Sequence, residues 1–84
     1  MTTRYAYSLH ERAAFGILSA DEDERGELLE VCEALARDPA RHGTEQVIDE
    51  AGRANEVIYT AHFRVVYWAD HALKEVRIMD VHRY

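Results

Sequence analysis

Residues 61–84 read AHFRVVYWADHALKEVRIMDVHRY, and this stretch decides most of the fold prediction. It contains two runs rich in β-branched and aromatic residues, 63–68 and 75–82, separated by a short polar segment at 69–72. Such a pattern is typical of two paired strands. The first run is apolar on both faces, as expected for the central strand of a sheet. Arg64 interrupts this run, and a cation in a buried strand requires an anionic partner or ligand.

The residues before this stretch predict one further strand and two helices. Aromatic residues in segment 4–7 predict a short first strand. A capping-box pattern at 8–11 predicts that the first helix opens at its serine, and the same pattern at 19–22 predicts the start of the second helix. The second helix should end at about Arg37, because the residue before a proline avoids the helical region and Asp38-Pro39 follows.

The remaining segments complete the predicted fold. Segment 56–60 alternates as a strand does, whereas residues 47–48 predict either a short strand or a packed connection. The element order is then βααβββ, and the fold class is α+β: a helical hairpin packed on one face of a small, mainly antiparallel sheet of three to four strands. We expect one domain spanning residues 1–84. The residues predicted to be buried are Leu28, Cys32, Leu35, Phe63, Val65, Tyr67, Val76 and Ile78.

Composition and charge limit the classes of function. The chain has 84 residues, an apolar share of 48% and a net charge of −6. This apolar share is ordinary for a globular protein and argues against disorder. Nucleic acid repels an acidic protein unless its cations are concentrated on one face. The single cysteine, Cys32, cannot form an internal disulfide and is expected to be a buried hydrophobic residue.

Several classes of site are not predicted. The five histidines lack the spacing of metal ligands, and no glycine-rich loop could bind phosphate, so we expect neither a metal nor a cofactor. No apolar run is long enough to cross a membrane, and the N-terminus has no signal-peptide pattern. The sequence therefore predicts a cytoplasmic protein without a membrane partner.

The basic residues of the two C-terminal strands form a candidate anion site. Because strand side chains alternate between faces, Arg64 shares a face with Val66 and Trp68. If the residues on the opposite face, Phe63, Val65 and Tyr67, pack against the helices, Arg64 lies on the open face of the sheet. Unless a bulge changes the alternation, Arg83 should join Arg64 on one concave surface. Two guanidinium groups beside Trp68 and Tyr84 would suit a phosphate and a stacked base.

A structural role for Arg64 is the alternative at this point. Its guanidinium could pair with a nearby carboxylate, Glu56 or Glu75, and thereby only stabilise the sheet.

Several motifs resemble the RelE/ParE family of bacterial toxins. They are the βααβββ order, the helix end at 35–39 (LARDP), the strand at 63–67 (FRVVY) and the closing strand at 76–83 (VRIMDVHR). The resemblance implies the toxin component of a type II toxin–antitoxin system, with a cognate antitoxin as partner. RelE-like members cut mRNA in the ribosomal A site, whereas ParE-like members poison DNA gyrase. A domain this small is also expected to associate, with an antitoxin or as a homodimer.

The resemblance also implies roles for particular residues. Arg64 and Arg83 match the arginines that stabilise the phosphate during mRNA cleavage. His82 or Tyr84 would transfer a proton, since histidine titrates near neutral pH. A glutamate upstream would act as the base, and Glu50 and Glu45 are both candidates.

Two departures from the family pattern favour other functions. Segment 56–60 lacks the lysines that many RelE-like nucleases carry there, and the net charge of −6 is unusual for a protein that binds ribosomes. A gyrase-directed toxin, a non-toxic interaction module that keeps the fold, and an unrelated small enzyme therefore remain alternatives to the mRNA endonuclease.

Overall fold

Five strands and two helices follow one another in the order βααββββ in residues 4–84, which are the residues that the computed structural model describes. The strand order in the sheet is β1-β5-β4-β3-β2; β1 runs parallel to β5, and the other neighbours are antiparallel. The α+β class is therefore confirmed, but the sheet has five strands, not three to four. The elements are β1 (Ala6–Leu9), α1 (Glu11–Leu18), α2 (Glu22–Arg37), β2 (Glu45–Ile48), β3 (Ala54–Tyr59), β4 (Phe63–Asp70) and β5 (Glu75–Arg83).

The hydrophobic core lies between the two helices and one face of the sheet. Strand β4 occupies the centre of the sheet, as the apolar run at 63–68 predicts. All eight residues that the sequence predicts to be buried are buried, and the largest of them, Tyr67, donates a hydrogen bond from its hydroxyl to the carbonyl oxygen of Arg41 (2.9 Å). This bond satisfies the only polar atom of the Tyr67 side chain inside the core.

The first helix begins later than predicted. Ser8 does not cap α1; it lies in β1 opposite Arg77, and its hydroxyl donates to Oε1 of Glu75 (2.7 Å). The residue at the N-cap is His10, whose Nδ1 accepts a hydrogen bond from the backbone N–H of Arg12 (3.2 Å). Parallel pairing of β1 with β5 continues through Leu9 and therefore overrides the local capping signal.

The second helix is shifted in the same direction at its start. Its N-cap is Asp21, which forms a capping box with Glu24, whereas Ser19 closes α1 by donating from its hydroxyl to the carbonyl oxygen of Phe15 (2.8 Å). The predicted cap at Ser19 is therefore wrong by two residues. The predicted end at Arg37 is confirmed.

Helix α1 packs directly against the backbone of β5. Beyond Ile78, β5 no longer pairs with β1, and α1 takes the place of the missing strand neighbour. Gly16 makes this approach possible: a Cβ atom at that position would lie 2.0 Å from the carbonyl oxygen of Val81. A side chain of any kind would therefore push the helix away from the strand.

A β-bulge separates the two halves of β5. Val66 lies opposite Asp80, but Tyr67 lies opposite Ile78, so Met79 has no partner of its own on β4. An extra residue reverses the alternation of side chains along the strand. Val76, Ile78 and Val81 consequently all face the core, at a spacing that an unbroken strand would not allow.

Candidate functional site

The sheet face turned away from the helices, which we call the open face, brings together three polar side chains from three strands. Arg64 of β4 lies directly opposite His82 of β5 on one side and Tyr59 of β3 on the other. Directly opposed residues have Cβ atoms about 4.5–5.5 Å apart, so the three side chains form one row. Tyr59 and His82 are exposed, and Arg64 is partly buried between them.

The guanidinium of Arg64 has no carboxylate partner among residues 4–84. No carboxylate oxygen lies within 4.0 Å of it, whereas the two glutamates expected to pair with it bind elsewhere. Glu56 accepts from the backbone N–H of Gly43, and Glu75 accepts from the hydroxyl of Ser8. Ion pairing of Arg64 with Glu56 or Glu75 is therefore not observed. A half-buried arginine without a carboxylate is available to bind an anionic ligand.

Arg83 lies on the opposite side of the sheet. The bulge at Met79 places the side chain of Arg83 on the helix side of the sheet. Two nitrogens of the Arg83 guanidinium donate there to the carboxylate of Glu24, at 2.6 and 3.0 Å. The guanidinium also stacks over the ring of Phe63, 4.7 Å from its centroid. The predicted common surface for Arg64 and Arg83 is therefore wrong, because the bulge that would reverse the alternation is present.

The hydrogen bonds from Arg83 also change the acidity of its partner. They are the largest of the effects that lower the pKa of Glu24 from its ordinary value of 4.5 to about 2, and the backbone N–H of Asp21 contributes next. Glu24 is therefore ionised at neutral pH, as a lasting ion pair requires.

Tyr84 packs on the open face next to Tyr59. The two rings meet edge to face with centroids 5.4 Å apart, and the Tyr84 hydroxyl donates to the carbonyl oxygen of Thr60 (2.6 Å). The Tyr59 hydroxyl donates to Oε1 of Glu45 (2.7 Å). Both phenol groups are thus held in place, and their exposed rings form an aromatic surface beside Arg64.

Glu50 belongs to the turn between β2 and β3, which folds over part of the open face. It lines, together with Arg64, Asp80 and the N-terminus of α1, a groove of about 480 Å³. The turn is fixed by Asp49, whose Oδ1 accepts from the backbone N–H groups of Ala51 and Arg53 at 2.9 Å. The structure therefore places Glu50 in the groove of Arg64, and Glu45 beside Tyr59.

The geometry of the turn also perturbs Asp49. Its pKa lies below the ordinary value, chiefly because the backbone N–H of Arg53 donates to its carboxylate and next because the amide of Asn55 does so. A positive φ of 80° at Gly52 closes the turn, which a glycine adopts without strain.

Five titratable residues that line this groove are absent from the sequence-based site: His10, Arg12, Asp49, Arg53 and Asp80. His10 and Arg12 reach the groove because β1 ends beside the middle of β5 and α1 starts there, which no local pattern reveals. The sequence does indicate that Asp80 is unusual, because it is a charged residue within an otherwise apolar part of the last strand. Its position on the open face could have been inferred only with knowledge of the bulge.

A second groove runs between α1 and the C-terminal half of β5. It has a volume of about 710 Å³ and shares His10, Arg12 and Asp80 with the groove of Arg64. It is also lined by His82, which lies opposite Arg64. On the outside of α1, two large apolar side chains are exposed: Phe15 at 73% and Leu18 at 70%. Exposed apolar residues beside a groove are a common feature of protein-binding surfaces.

Residues 4–84 contain no group of three or more His, Cys, Asp and Glu side chains placed to bind a metal ion. Over the same residues, no helix combines the length and the apolarity needed to span a membrane.

The architecture matches known structures: the chain has the fold of the RelE toxins. It is similar to RelE chains in three complexes, with TM-scores of 0.79, 0.75 and 0.72. These are the toxin–antitoxin complex RelBE2 from Mycobacterium tuberculosis (18% identity, 98% of this chain and 100% of that chain covered), the RelE–RelB complex from Pyrococcus horikoshii (14%, 96% and 96%) and the intact RelBE complex from E. coli (16%, 95% and 96%). No protein-family model and no curated protein sequence matches the chain. The fold that the sequence resemblance implies is thus confirmed.

Proposed function

We propose that this chain is the toxin of a type II toxin–antitoxin pair and that its open face cleaves mRNA on the ribosome. The observation that carries the proposal is the position of Arg64, a partly buried residue whose guanidinium has no carboxylate partner in residues 4–84, directly opposite an exposed histidine, His82. The fold shared with RelE toxins supports the same function.

The proposed reaction is a transesterification within the RNA strand. The 2′-oxygen forms a bond to the adjacent phosphorus, the bond from phosphorus to the 5′-oxygen breaks, and a 2′,3′-cyclic phosphate results. A base removes the proton of the 2′-hydroxyl, and an acid donates one to the departing 5′-oxygen. Glu50 and His82 are the proposed base and acid, and Arg64 stabilises the negative charge on the non-bridging oxygens of the phosphate.

The aromatic pair beside Arg64 suits the bases of the same strand. Tyr59 and Tyr84 expose 45% and 64% of their surface, and their hydroxyls are already hydrogen-bonded to Glu45 and Thr60. We propose that Tyr84 positions a base by stacking, since its hydroxyl is engaged with a backbone carbonyl. His82, and not Tyr84, is then the proposed acid that donates the proton to the 5′-oxygen.

The acidic residues that give the chain its net charge of −6 are unevenly distributed. Residues 11–38, which contain both helices, hold nine acidic and three basic residues, whereas the rest of the chain holds seven of each. The net charge of −6 therefore resides entirely in the helical layer, and all five histidines lie outside it. The remainder of the chain, which supplies the open face, holds equal numbers of acidic and basic residues and therefore repels an RNA strand less than the helical layer does.

A cognate antitoxin is the proposed protein partner. The groove between α1 and β5, flanked by the exposed Phe15 and Leu18, offers the apolar surface that such a partner would cover. Its overlap with the open-face groove at His10, Arg12 and Asp80 would let one partner block both. The RelE chains similar to this one are in complexes with RelB.

Induced expression in bacteria tests the proposal. We expect growth arrest from the wild type and normal growth with Arg64→Ala, because the transition state loses its main cationic donor. The matched control is Arg37→Ala, which removes an exposed arginine from the helical layer and should remain toxic. A toxic Arg64→Ala variant would contradict cleavage by this site and would favour a gyrase-directed toxin.

A non-toxic interaction module is the second candidate function. The observation in its favour is that the second arginine implied by the family resemblance, Arg83, is neutralised by Glu24, while the single lysine of the chain, Lys74, lies in the β4–β5 turn. Of the two arginines that the resemblance implies for the substrate, only Arg64 would then face it. Harmless expression of the folded wild type would favour this function.

A further inference from the structure

The C-terminal half of β5 has a strand neighbour on one side only. Pairing with β1 ends at Ile78, so that β5 has only β4 as a strand neighbour from Met79 to Arg83. The last pair of the ladder joins Arg83 to Phe63, the first residue of β4. Strand ends of this kind open easily unless side chains anchor them.

Arg83 provides such an anchor on the helix side. Its two terminal nitrogens bind both carboxylate oxygens of Glu24, a bidentate geometry that fixes direction as well as distance. Glu24 is itself immobilised, because its backbone N–H donates to Asp21 (2.9 Å) and its Oε1 accepts from the Asp21 backbone N–H (3.2 Å). The end of the strand is thereby tied to the first turn of α2.

The residues on either side of Arg83 point to the open face. His82 lies opposite Arg64, and Tyr84 contacts Tyr59, with its backbone N–H donating to the carbonyl oxygen of His62 (3.2 Å). Any rotation of the strand end that freed Arg83 would move both neighbours away from Arg64.

We propose that Arg83 is a positioning residue, which acts through Glu24 to hold His82 and Tyr84 on the open face, and that it does not contact the RNA. Its guanidinium lies on the other side of the sheet from Arg64, and both of its terminal nitrogens are occupied. The inference rests on the proposed function for its effect on cleavage, but its structural part is independent of that function.

A double-mutant cycle tests this role. The variants are Arg83→Gln, Glu24→Gln and the two combined, with Glu27→Gln as the control for loss of an acidic residue from the same helix. Glutamine at position 24 preserves the capping box, since this motif accepts Glu or Gln, so the start of α2 is not lost together with the ion pair. We expect both single variants to cleave RNA about 10- to 100-fold more slowly, as misplacement of reactive groups does. The combined variant should be no slower than either single one.

Two activity results would overturn the inference. One is a fully active Glu24→Gln beside an inactive Arg83→Gln, because a substrate-binding arginine does not need Glu24. The other is a combined variant whose loss is the product of the two single losses.

A second readout does not depend on activity. The nuclear Overhauser contact between the rings of Tyr59 and Tyr84 should weaken in Arg83→Gln and Glu24→Gln and persist in Glu27→Gln, at a temperature where all variants remain folded. An unchanged contact in both single variants would show that the ion pair does not hold the strand end, and would refute the inference even if the wild type proved to have no ribonuclease activity.

Discussion

Replacement of Gly16 by alanine should destabilise the protein, although alanine is the better helix former. The added Cβ would lie 2.0 Å from the carbonyl oxygen of Val81 and 3.0 Å from its carbonyl carbon, and these are backbone atoms that cannot rotate away. Ordinary contact begins at 3.4 Å, so α1 and β5 must separate by about 1.4 Å along this line. The movement would also draw the buried Ala13 and Ile17 away from the core.

The size of the effect follows from two opposing contributions. Alanine gains about 1 kcal/mol over glycine in a helix interior. Overpacking against a fixed neighbour costs about 1–3 kcal/mol or more, and separation of packed apolar groups adds a loss of dispersion energy. We expect a net loss of about 1–3 kcal/mol in the free energy of unfolding, which for a domain of this size lowers Tm by roughly 5–20 °C.

Urea denaturation followed by circular dichroism measures this change, and the chain supplies its own control. Gly26 lies in α2 with no atom within 4 Å of an added Cβ, so Gly26→Ala should stabilise the protein by about 0.5–1 kcal/mol. Opposite signs for the two substitutions are the expected result. Equal stability of Gly16→Ala and Gly26→Ala would refute the direct packing of α1 on the backbone of β5.

Three further results are expected. Tyr67→Phe should lower the free energy of unfolding by about 0.5–1.5 kcal/mol in urea denaturation, because the part-buried hydrogen bond from its hydroxyl to the carbonyl of Arg41 is lost; full stability would contradict that bond. The thiol of Cys32, buried and with its pKa raised to about 11 mainly by desolvation, should react with a thiol reagent at neutral pH only as fast as the protein unfolds, and rapid labelling would contradict its burial. Because the pKa of Glu24 is depressed from 4.5 to about 2 in the folded state, its ion pair with Arg83 stabilises above pH 4.5 and is lost as the pH falls toward 2. The stability difference between wild type and Glu24→Gln should therefore shrink over that range, and a constant difference would rule out the charged pair as its source.

The elements that the sequence predicts well are those governed by local patterns. Strand β4 is apolar on both faces, α2 has a capping box and a proline stop, and both are found where these signals lie, apart from a two-residue shift at the start of the helix. The start of α1 could not be predicted, because the capping pattern at Ser8 competes with pairing of Leu9 to Ile78, which is distant in sequence. The edge strand β2 is only four residues long and carries too little pattern to separate it from a loop.

In the candidate site, too, local patterns predict one residue correctly and contacts distant in sequence decide another. The position of Arg64 on the open face follows from simple alternation along β4, and the structure agrees. The position of Arg83 depends on one unpaired residue, Met79, and no feature of an isolated strand sequence indicates where a bulge will form. A shift of one residue therefore decides whether Arg83 faces a substrate or Glu24.

The most direct test of the central claim is a map of mRNA ends after the purified protein is added to a translation reaction. We predict cuts in ribosome-bound mRNA, each leaving a 2′,3′-cyclic phosphate, with a rate at least about 100-fold lower for Arg64→Ala, in line with the loss of a preorganised donor, and an undiminished rate for Arg37→Ala. Two controls are needed: the purified protein must be folded, and expression of the same chain must arrest growth. If both hold and the mRNA stays intact with the wild-type protein, mRNA cleavage by this site is contradicted.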